Sequence, residues 1–166
     1  MKSEKAVFLG RFQPFHKGHH ETVKEYKRKY EEFVVAIGSA AKSGIERNPL
    51  SFQQRKEILE SCYPEIKIVA IEDEDRGEEG YQDWIERFIE KTDPDVVITR
   101  NDLVQRLVRQ YSDAEIEEQE LYKPDTFSGT KIRTRIREEK DWRYMVPDCD
   151  EEKIEEYKHI IAETGR

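Results

Sequence analysis

Two histidines stand three positions apart in a short segment near the start of the chain. The segment runs from Gly10 to His19 and joins an apolar run typical of a strand to a pattern typical of a helix. A helix start presents free backbone N–H groups and a positive dipole end, so anions bind there. His16 and His19 can converge on that point, with Gly18 leaving space between their rings. Imidazole N–H donors there would stabilise the charge that develops during phosphoryl or nucleotidyl transfer.

The alternative is that these are surface histidines in a turn, with Phe12 and Phe15 only anchoring the loop. Two of the four histidines of the chain stand three positions apart at this one junction, beside two glycines. This coincidence favours the functional interpretation.

A second candidate lies far downstream, in the segment Ser128-Gly129-Thr130-Lys131-Ile132-Arg133. Its hydroxyls and backbone donors stand at a predicted helix start, and Arg133 follows one turn inside. From there a planar guanidinium can reach back toward phosphate oxygens. The alternative is an N-cap serine followed by an amphipathic helix, with Arg133, Arg135 and Arg137 on a solvated face. The segment alone does not decide between the two.

The elements that would position these residues alternate between strand and helix. Buried strands are predicted at residues 6–10, 33–38, 66–71 and 96–98, with a possible edge strand at 115–121. Helices are predicted at 19–30, 52–62, 81–90, around 103–108, from 128 onward and at 150–162. Such alternation predicts an α/β fold, a parallel sheet with helices on both faces, whose ligands bind at the carboxyl ends of the strands. We expect a single domain over residues 1–166, with a C-terminal helical appendage at about 140–166.

The composition narrows the classes of partner. Of the 166 residues, 36% are hydrophobic and 40% charged, and the formal net charge is −8. The acidic balance disfavours a nucleic-acid-binding module but allows a phosphate ligand held by a few local cations. Cys62 and Cys149 fit no metal spacing and are too few for a disulfide framework, so reduced cysteines in a cytoplasmic protein are predicted. No apolar run is long enough to span a membrane.

The two signature segments resemble those of a known superfamily. His16-Lys17-Gly18-His19 resembles the H-x-G-H motif of the nucleotidyltransferases, and Ser128–Arg133 resembles their S-x-T-x-x-R motif, in the same order along the chain. The longer run from Gly10 to His19 is similar to that of the archaeal-type nicotinamide mononucleotide (NMN) adenylyltransferases. Cytidylyltransferases and pantetheine-phosphate adenylyltransferases usually open with a Gly-Thr-Phe-Asp type of sequence. The resemblance implies a Rossmann-like nucleotidyltransferase fold and an enzyme that transfers AMP from ATP to NMN, giving NAD and pyrophosphate.

The resemblance also implies roles for individual residues. Those expected to act on the reacting phosphates are His16, His19 and Arg133. Those expected to bind ATP are Gly10, Arg11, Phe12, Gly18, Ser128, Thr130 and Arg133. Those expected to bind the acceptor are Ser39, Arg47, Trp84 and Asn101. For Arg47 the alternative is a solvated arginine in a polar loop. No metal ligand is expected from the protein itself, and Mg²⁺ is expected to arrive with ATP. The expected partners are ATP and a mononucleotide phosphate acceptor, without nucleic acid or membrane, in a homo-oligomer.

Some positions depart from the family pattern. Gly44 stands where a His is common and Tyr81 where many members have Asn, while Thr99-Arg100 replaces a Ser-Gly pair and Asp102 replaces a Pro. These departures lie near the base-binding end and leave the acceptor open. The alternatives are nicotinic acid mononucleotide, FMN, phosphopantetheine or a sugar or alcohol phosphate, with adenylyl or cytidylyl transfer. A non-catalytic nucleotide sensor is a further alternative.

The expected role of Trp84 also has an alternative. It would stack on the nicotinamide ring in the family, but it stands beside Ile85 and near Phe88 in a predicted helix. An aromatic residue at that spacing is usually part of a core.

Overall fold

The structure is a computed structural model that describes residues 2–164, with side chains from residue 4 onward. The strands are β1 Lys2–Gly10, β2 Tyr30–Ile37, β3 Lys67–Ala70, β4 Val96–Ile98 and β5 Glu115–Glu117. The helices are α1 Lys17–Lys29, α2 Phe52–Cys62, α3 Tyr81–Thr92, α4 Asp102–Tyr111, α5 Gly129–Arg137 and α6 Glu151–Glu163. Three short 3₁₀ segments, at Gly77–Gly80, Arg143–Met145 and Asp148–Asp150, were not predicted.

All five strands are parallel and form one sheet in the order β3-β2-β1-β4-β5. In the central register, Phe8 of β1 pairs with Val35 of β2 and with Ile98 of β4. The predicted edge strand exists, although it is shorter than residues 115–121. The predicted α/β fold is therefore confirmed.

The chain divides into two compact units. The sheet unit contains the chain up to Gly10, then Lys24–Ala40 and Lys67–Glu120. The helical unit contains Arg11–Val23, Ala41–Ile66 and the chain from Leu121 onward. That residues 1–166 form a single domain stays a prediction.

The core of the sheet unit explains why the sequences of its strands are continuous apolar runs. On one face of the sheet, Val7 and Val97 are fully buried with Phe88 of α3 and Val108 of α4. Phe8, which follows Val7 in β1 and points to the opposite face, is buried as well. A parallel strand covered on both faces has no position for an alternating polar residue. Each such side chain stabilises the fold by about 1.5–3 kcal/mol relative to exposure.

In the helical unit, α2 begins with a cap that its sequence specifies. Ser51 Oγ accepts a hydrogen bond from Gln54 N at 3.2 Å, and Gln54 Oε1 accepts one from Ser51 N at 2.8 Å. This reciprocal pair satisfies two helix-start donors. The two bonds together form a capping box. Tyr157 of α6 donates a hydrogen bond to Glu57 and so connects α6 to α2.

The prediction of reduced cysteines is wrong for this structure, because Cys62 and Cys149 form a disulfide. Cys62 ends α2, and Cys149 lies in the 3₁₀ segment before α6. The two residues are 87 positions apart. Their spacing carried no signal, because only the packing of α2 against the start of α6 brings them together.

Among the described residues, no helix combines the length and the apolar character that a membrane crossing requires.

Candidate active site

The segment between β1 and α1 is held by its two phenylalanines. Phe12 and Phe15 are buried, and Phe12 has a backbone φ of +55°. Both rings contact His19, with ring centroids 4.7 and 5.5 Å away. The phenylalanines therefore anchor the loop, as the alternative interpretation required, and in doing so they fix the position of a histidine.

The two imidazoles stack on each other with their centroids 3.7 Å apart. His16 Nδ1 accepts a hydrogen bond from Gly18 N at 3.0 Å, and His19 Nδ1 accepts one from His16 N at 3.2 Å. Because each Nδ1 is an acceptor, a neutral ring carries its proton on Nε2. A Cβ on Gly18 would lie 2.8 Å from His16 Cε1, so glycine is required for the His16 ring to occupy this place.

Burial keeps both rings uncharged. It lowers the pKa of His16 to about 4. Burial and, secondarily, the neighbouring His16 lower the pKa of His19 well below its usual value. At neutral pH the pair therefore offers two Nε2–H donors without a positive charge.

The protonation and the tautomer of the two histidines can be measured in the ligand-free protein. We expect ¹⁵N and ¹H NMR to show the Nε2–H tautomer for His16 and His19 from pH 5.5 to 8, because burial disfavours the charged form. Unfolded histidine binds its proton near pH 6.5, above the folded pKa of His16, so the free energy of unfolding should fall as the pH decreases from about 6.5 toward 4. A titration of either ring between pH 6 and 7 would contradict this assignment.

The second signature begins α5, and Arg133 reaches from it toward the histidine loop. Ser128 Oγ accepts a hydrogen bond from Lys131 N at 3.1 Å, so Ser128 is the N-cap. Arg133 is buried, and its Nη1 donates to Gln13 O at 2.7 Å. Its Nη2 donates to Thr130 Oγ1 at 3.3 Å. The structure therefore excludes a solvated face for Arg133.

The Nε atom of Arg133 is buried and, within residues 2–164, has no hydrogen-bond partner. A buried cation whose other nitrogens donate only to a carbonyl and a hydroxyl is costly, so an anionic ligand beside the guanidinium is the natural explanation. Burial, followed by the charges of Arg137 and Arg11, lowers the pKa of Arg133. The surroundings of the guanidinium therefore carry too little negative charge to balance its positive charge.

Both signatures line one open cavity of about 610 Å³ within the helical unit. The predicted residues that line it are Arg11, Phe12, His16, His19, Arg47, Thr130 and Arg133. The further lining residues are Gln13, Glu46, Gly129, Thr134 and Arg137. Four arginines and one glutamate make the wall strongly cationic, although the net charge of the chain is −8. The cavity fits a ligand with several negative charges and an extended shape, such as a polyphosphate.

Sequence reasoning missed Gln13, which connects the parts of this cavity. Its Nε2 donates to Asn48 Oδ1 at 2.8 Å and to Leu50 O at 2.9 Å, and its Oε1 accepts from Leu50 N at 3.0 Å. Its backbone oxygen accepts the bond from Arg133. Gln13 therefore joins the histidine loop to the segment that carries Arg47. Only its place inside the motif run could have indicated this.

The alternative interpretation of α5 placed Arg137 on a solvated face, and the structure does not support that alternative. Its Nη2 donates to Glu46 O at 2.7 Å and its Nε donates to Ile161 O at 3.1 Å, while the residue lines the cavity. The signal was available, because Arg133 and Arg137 are four apart and share one face of a helix.

Three predicted acceptor residues belong to the sheet unit, and each has a structural contact there. Ser39 has a φ of +51°, and its Oγ donates to Asp73 Oδ2 at 2.9 Å. The Trp84 ring lies parallel to the Phe88 ring with centroids 5.6 Å apart. Asn101 caps α4 by accepting a hydrogen bond from Val104 N at 3.1 Å. Their roles toward an acceptor stay predictions.

Some of the departures from the family pattern have local reasons. Gly44 has a φ of +71°, a conformation that favours glycine over histidine. Thr99 Oγ1 accepts a hydrogen bond from Asn101 N at 3.1 Å, and Arg100 Nη1 donates to Gln119 O at 3.0 Å. These contacts account for the residues without reference to a ligand.

The donor set of the cavity limits how a metal ion could be held. Glu46 is the single carboxylate among its lining residues. Within residues 2–164, the one group of three closely spaced potential ligand residues is Cys62, Cys149 and Asp150, and none of these lines the cavity. The cavity therefore fits a divalent ion held mainly by ligand phosphates and water, and it does not fit a protein-held metal centre.

Comparison with known proteins shows the family to which the chain belongs. The model of the cytidylyltransferase-like family matches residues 7–154, and the chain belongs to this family. The nicotinamide-nucleotide adenylyltransferase of Methanolobus tindarius is 36% identical over 146 residues, which cover 86% of this chain and 83% of that protein. The enzyme of the same name from Archaeoglobus fulgidus is 34% identical, over 94% of this chain and 93% of that protein. The predicted resemblance to the NMN adenylyltransferases is confirmed.

Solved structures support the fold. A bifunctional NMN adenylyltransferase/ADP ribose pyrophosphatase from Francisella tularensis, complexed with AMP and a manganese ion, matches 98% of this chain with a TM-score of 0.76 at 20% identity. This chain spans 52% of the length of that protein. A NadR protein in complex with NAD and AMP-PNP matches 82% of the chain with a TM-score of 0.61. At these identities the likeness concerns the fold.

Proposed function

We propose that this chain transfers AMP from ATP to NMN, producing NAD and releasing pyrophosphate. One observation carries the proposal: a single cationic cavity brings together two neutral imidazole donors and a buried arginine whose Nε has no partner in the described chain. Such a cavity suits a triphosphate. The two nucleotides, ATP and NMN, are proposed because the archaeal relatives are named nicotinamide-nucleotide adenylyltransferases.

The reaction needs no general base from the protein. A phosphate oxygen of NMN is already ionised at neutral pH and attacks the α-phosphorus of ATP in line. The bond from the α-phosphorus to its bridging oxygen breaks, and that oxygen leaves with pyrophosphate. Catalysis then consists of positioning the reactants and stabilising the charge that builds up.

His16 and His19 supply uncharged donors to the phosphate oxygens of ATP. Because their pKa values are low, they donate hydrogen bonds through Nε2–H without giving up a proton. Gly18 keeps the His16 ring in place, and Gly10 and Arg11 lie beside the α-phosphate. Phe12 acts by holding the His19 ring.

The start of α5 holds the other end of the triphosphate. Arg133 and Thr130 contact the β- and γ-phosphates, and Arg133 offsets the charge of the departing pyrophosphate. Ser128 contributes by capping α5, which orients the free N–H groups of its first turn toward the anion. A divalent ion such as Mg²⁺ would arrive with ATP, held through phosphates and water, and would supply further charge neutralisation.

Four residues are assigned to the acceptor: Arg47 in the helical unit, and Ser39, Trp84 and Asn101 in the sheet unit. Arg47 lines the cavity and is suited to the NMN phosphate. Trp84 stacks on the nicotinamide ring, with Phe88 supporting its other face. Ser39 and Asn101 contribute polar contacts to the acceptor. We also propose that the protein is cytoplasmic, and that it forms a homo-oligomer, as the resemblance to the NMN adenylyltransferases implies.

The substrate assignment is tested by a panel. ATP is supplied with NMN, nicotinic acid mononucleotide, FMN, phosphopantetheine or a sugar phosphate, and pyrophosphate release is followed, with CTP in place of ATP as the matched control. We expect turnover with ATP and NMN. Turnover with CTP, or with neither pyridine mononucleotide, would remove the assignment. ATP binding without pyrophosphate release from any acceptor would identify a sensor.

A further inference from the structure

The disulfide between Cys62 and Cys149 is asymmetric in its surroundings. Cys149 is exposed, whereas Cys62 is partly buried at the end of α2. Cys149 is therefore the residue more open to an external thiol. The adenylyl transfer reaction uses neither of them.

A buried carboxyl group stands beside the less accessible sulfur. Asp150 is fully buried, and its Oδ1 lies 3.1 Å from Cys62 Sγ. Its Oδ2 has no hydrogen-bond partner among residues 2–164. A buried carboxyl without partners weakens the fold unless it has another role.

Burial also determines the protonation of this group. It raises the pKa of Asp150 to about 8, so the carboxyl keeps its proton at neutral pH. A protonated Asp150 is a proton donor next to Cys62.

We propose that Cys62–Cys149 is a thiol-exchange site, at which an external dithiol attacks Cys149 and Asp150 gives its proton to Cys62. The thiolate of the dithiol forms a bond to Cys149 Sγ, and the bond between the two protein sulfurs breaks. The electron pair goes to Cys62 Sγ, which takes the proton from Asp150. The second thiol of the dithiol then attacks its own sulfur in the mixed disulfide and releases Cys149 as a thiolate, which takes a proton from water.

The balance of this exchange is complete. The protein disulfide gains two electrons and two protons, and the dithiol becomes a cyclic disulfide. Asp150, now a carboxylate, accepts a hydrogen bond from the new Cys62 thiol and regains a proton from water. The direction of attack follows from access to Cys149 and from stabilisation of the leaving group at Cys62, the two factors that govern exchange rates.

The first experiment locates the attack without any substitution. The oxidised full chain is treated with glutathione, free thiols are blocked with iodoacetamide, and tryptic peptides are weighed. We expect glutathione on the peptide 144–153, which contains Cys149, and the blocking group on the peptide 57–67, which contains Cys62. The reverse pattern, or a purified protein without the disulfide, would overturn the proposal.

The second experiment tests the proton donor. Reduction of the oxidised chain by dithiothreitol at pH 7 is followed by quenched alkylation. Asp150→Asn should slow reduction by about tenfold or more, because general acid help is lost. The control is Asp148→Asn, an exposed carboxylate in the same 3₁₀ segment, which should change the rate by less than about twofold. Equal rates for Asp150→Asn and the unaltered chain would refute the role of Asp150.

Discussion

Replacing Arg133 with alanine should lower kcat/KM for ATP by about 10²–10³-fold, equivalent to roughly 3–4 kcal/mol of transition-state stabilisation. The side chain is buried and its Nε lacks a partner in the described chain. In the proposed reaction it would offset the charge that builds up on the departing pyrophosphate. Arg133→Lys should recover only part of the loss, because an ammonium keeps the charge but not the planar fork. The measurement is steady-state pyrophosphate release with varied ATP.

The control for this prediction is Arg135→Ala. Arg135 lies in the same helix but does not line the cavity, and it contacts Asp141 O and the Tyr144 ring instead. We expect kcat/KM within about twofold of the unaltered chain, as for substitutions away from a site. A loss below tenfold in Arg133→Ala would defeat the phosphate role. A matching loss in Arg135→Ala would point to general damage to α5.

The second large effect is expected for His19→Ala. Removal of one preorganised donor to the developing charge should lower kcat by about 10²-fold. His19→Gln should recover part of the activity, because the amide nitrogen of glutamine can occupy the place of Nε2 and still donate. Recovery by glutamine separates a donor role from simple packing between Phe12 and Phe15. The same steady-state assay measures both variants.

His159→Ala is the control, because His159 is exposed on α6 and does not line this cavity. Its kcat should stay within about twofold of the unaltered chain. If His19→Ala retained more than a tenth of the activity, or if glutamine and alanine were equally poor, the Nε2 donor assignment would be wrong. Thermal unfolding of each variant shows whether the fold is kept.

Much of the fold could be predicted because its signals are local. The apolar runs of β1 and β2, the capping box at Ser51 and the short apolar β4 all depend on neighbouring residues, so their patterns are visible in the chain. The 3₁₀ segments were missed because they have no periodicity long enough to detect. The ends of strands also shifted by a few residues, since pairing with a neighbouring strand decides where each strand begins.

In the candidate site, too, some residues could be predicted from local sequence and others could not. Two motif segments were sufficient to indicate His16, His19 and Arg133, because residue type and spacing express the chemistry of phosphate binding. The contacts of Gln13 could not be predicted, because its partners Asn48, Leu50 and Arg133 are distant in sequence. The protonation of the histidine pair also depends on burial, which no local pattern reports.

Local spacing and similarity to relatives were sufficient to predict the class of fold, the two candidate phosphate-binding segments and the family. The folded chain was needed to show that the two segments share one cavity with Arg47 and Arg137, and that Cys62 meets Cys149 beside a buried Asp150. Burial and contacts between distant residues set charge, pKa and access, and they arise only when the chain is folded.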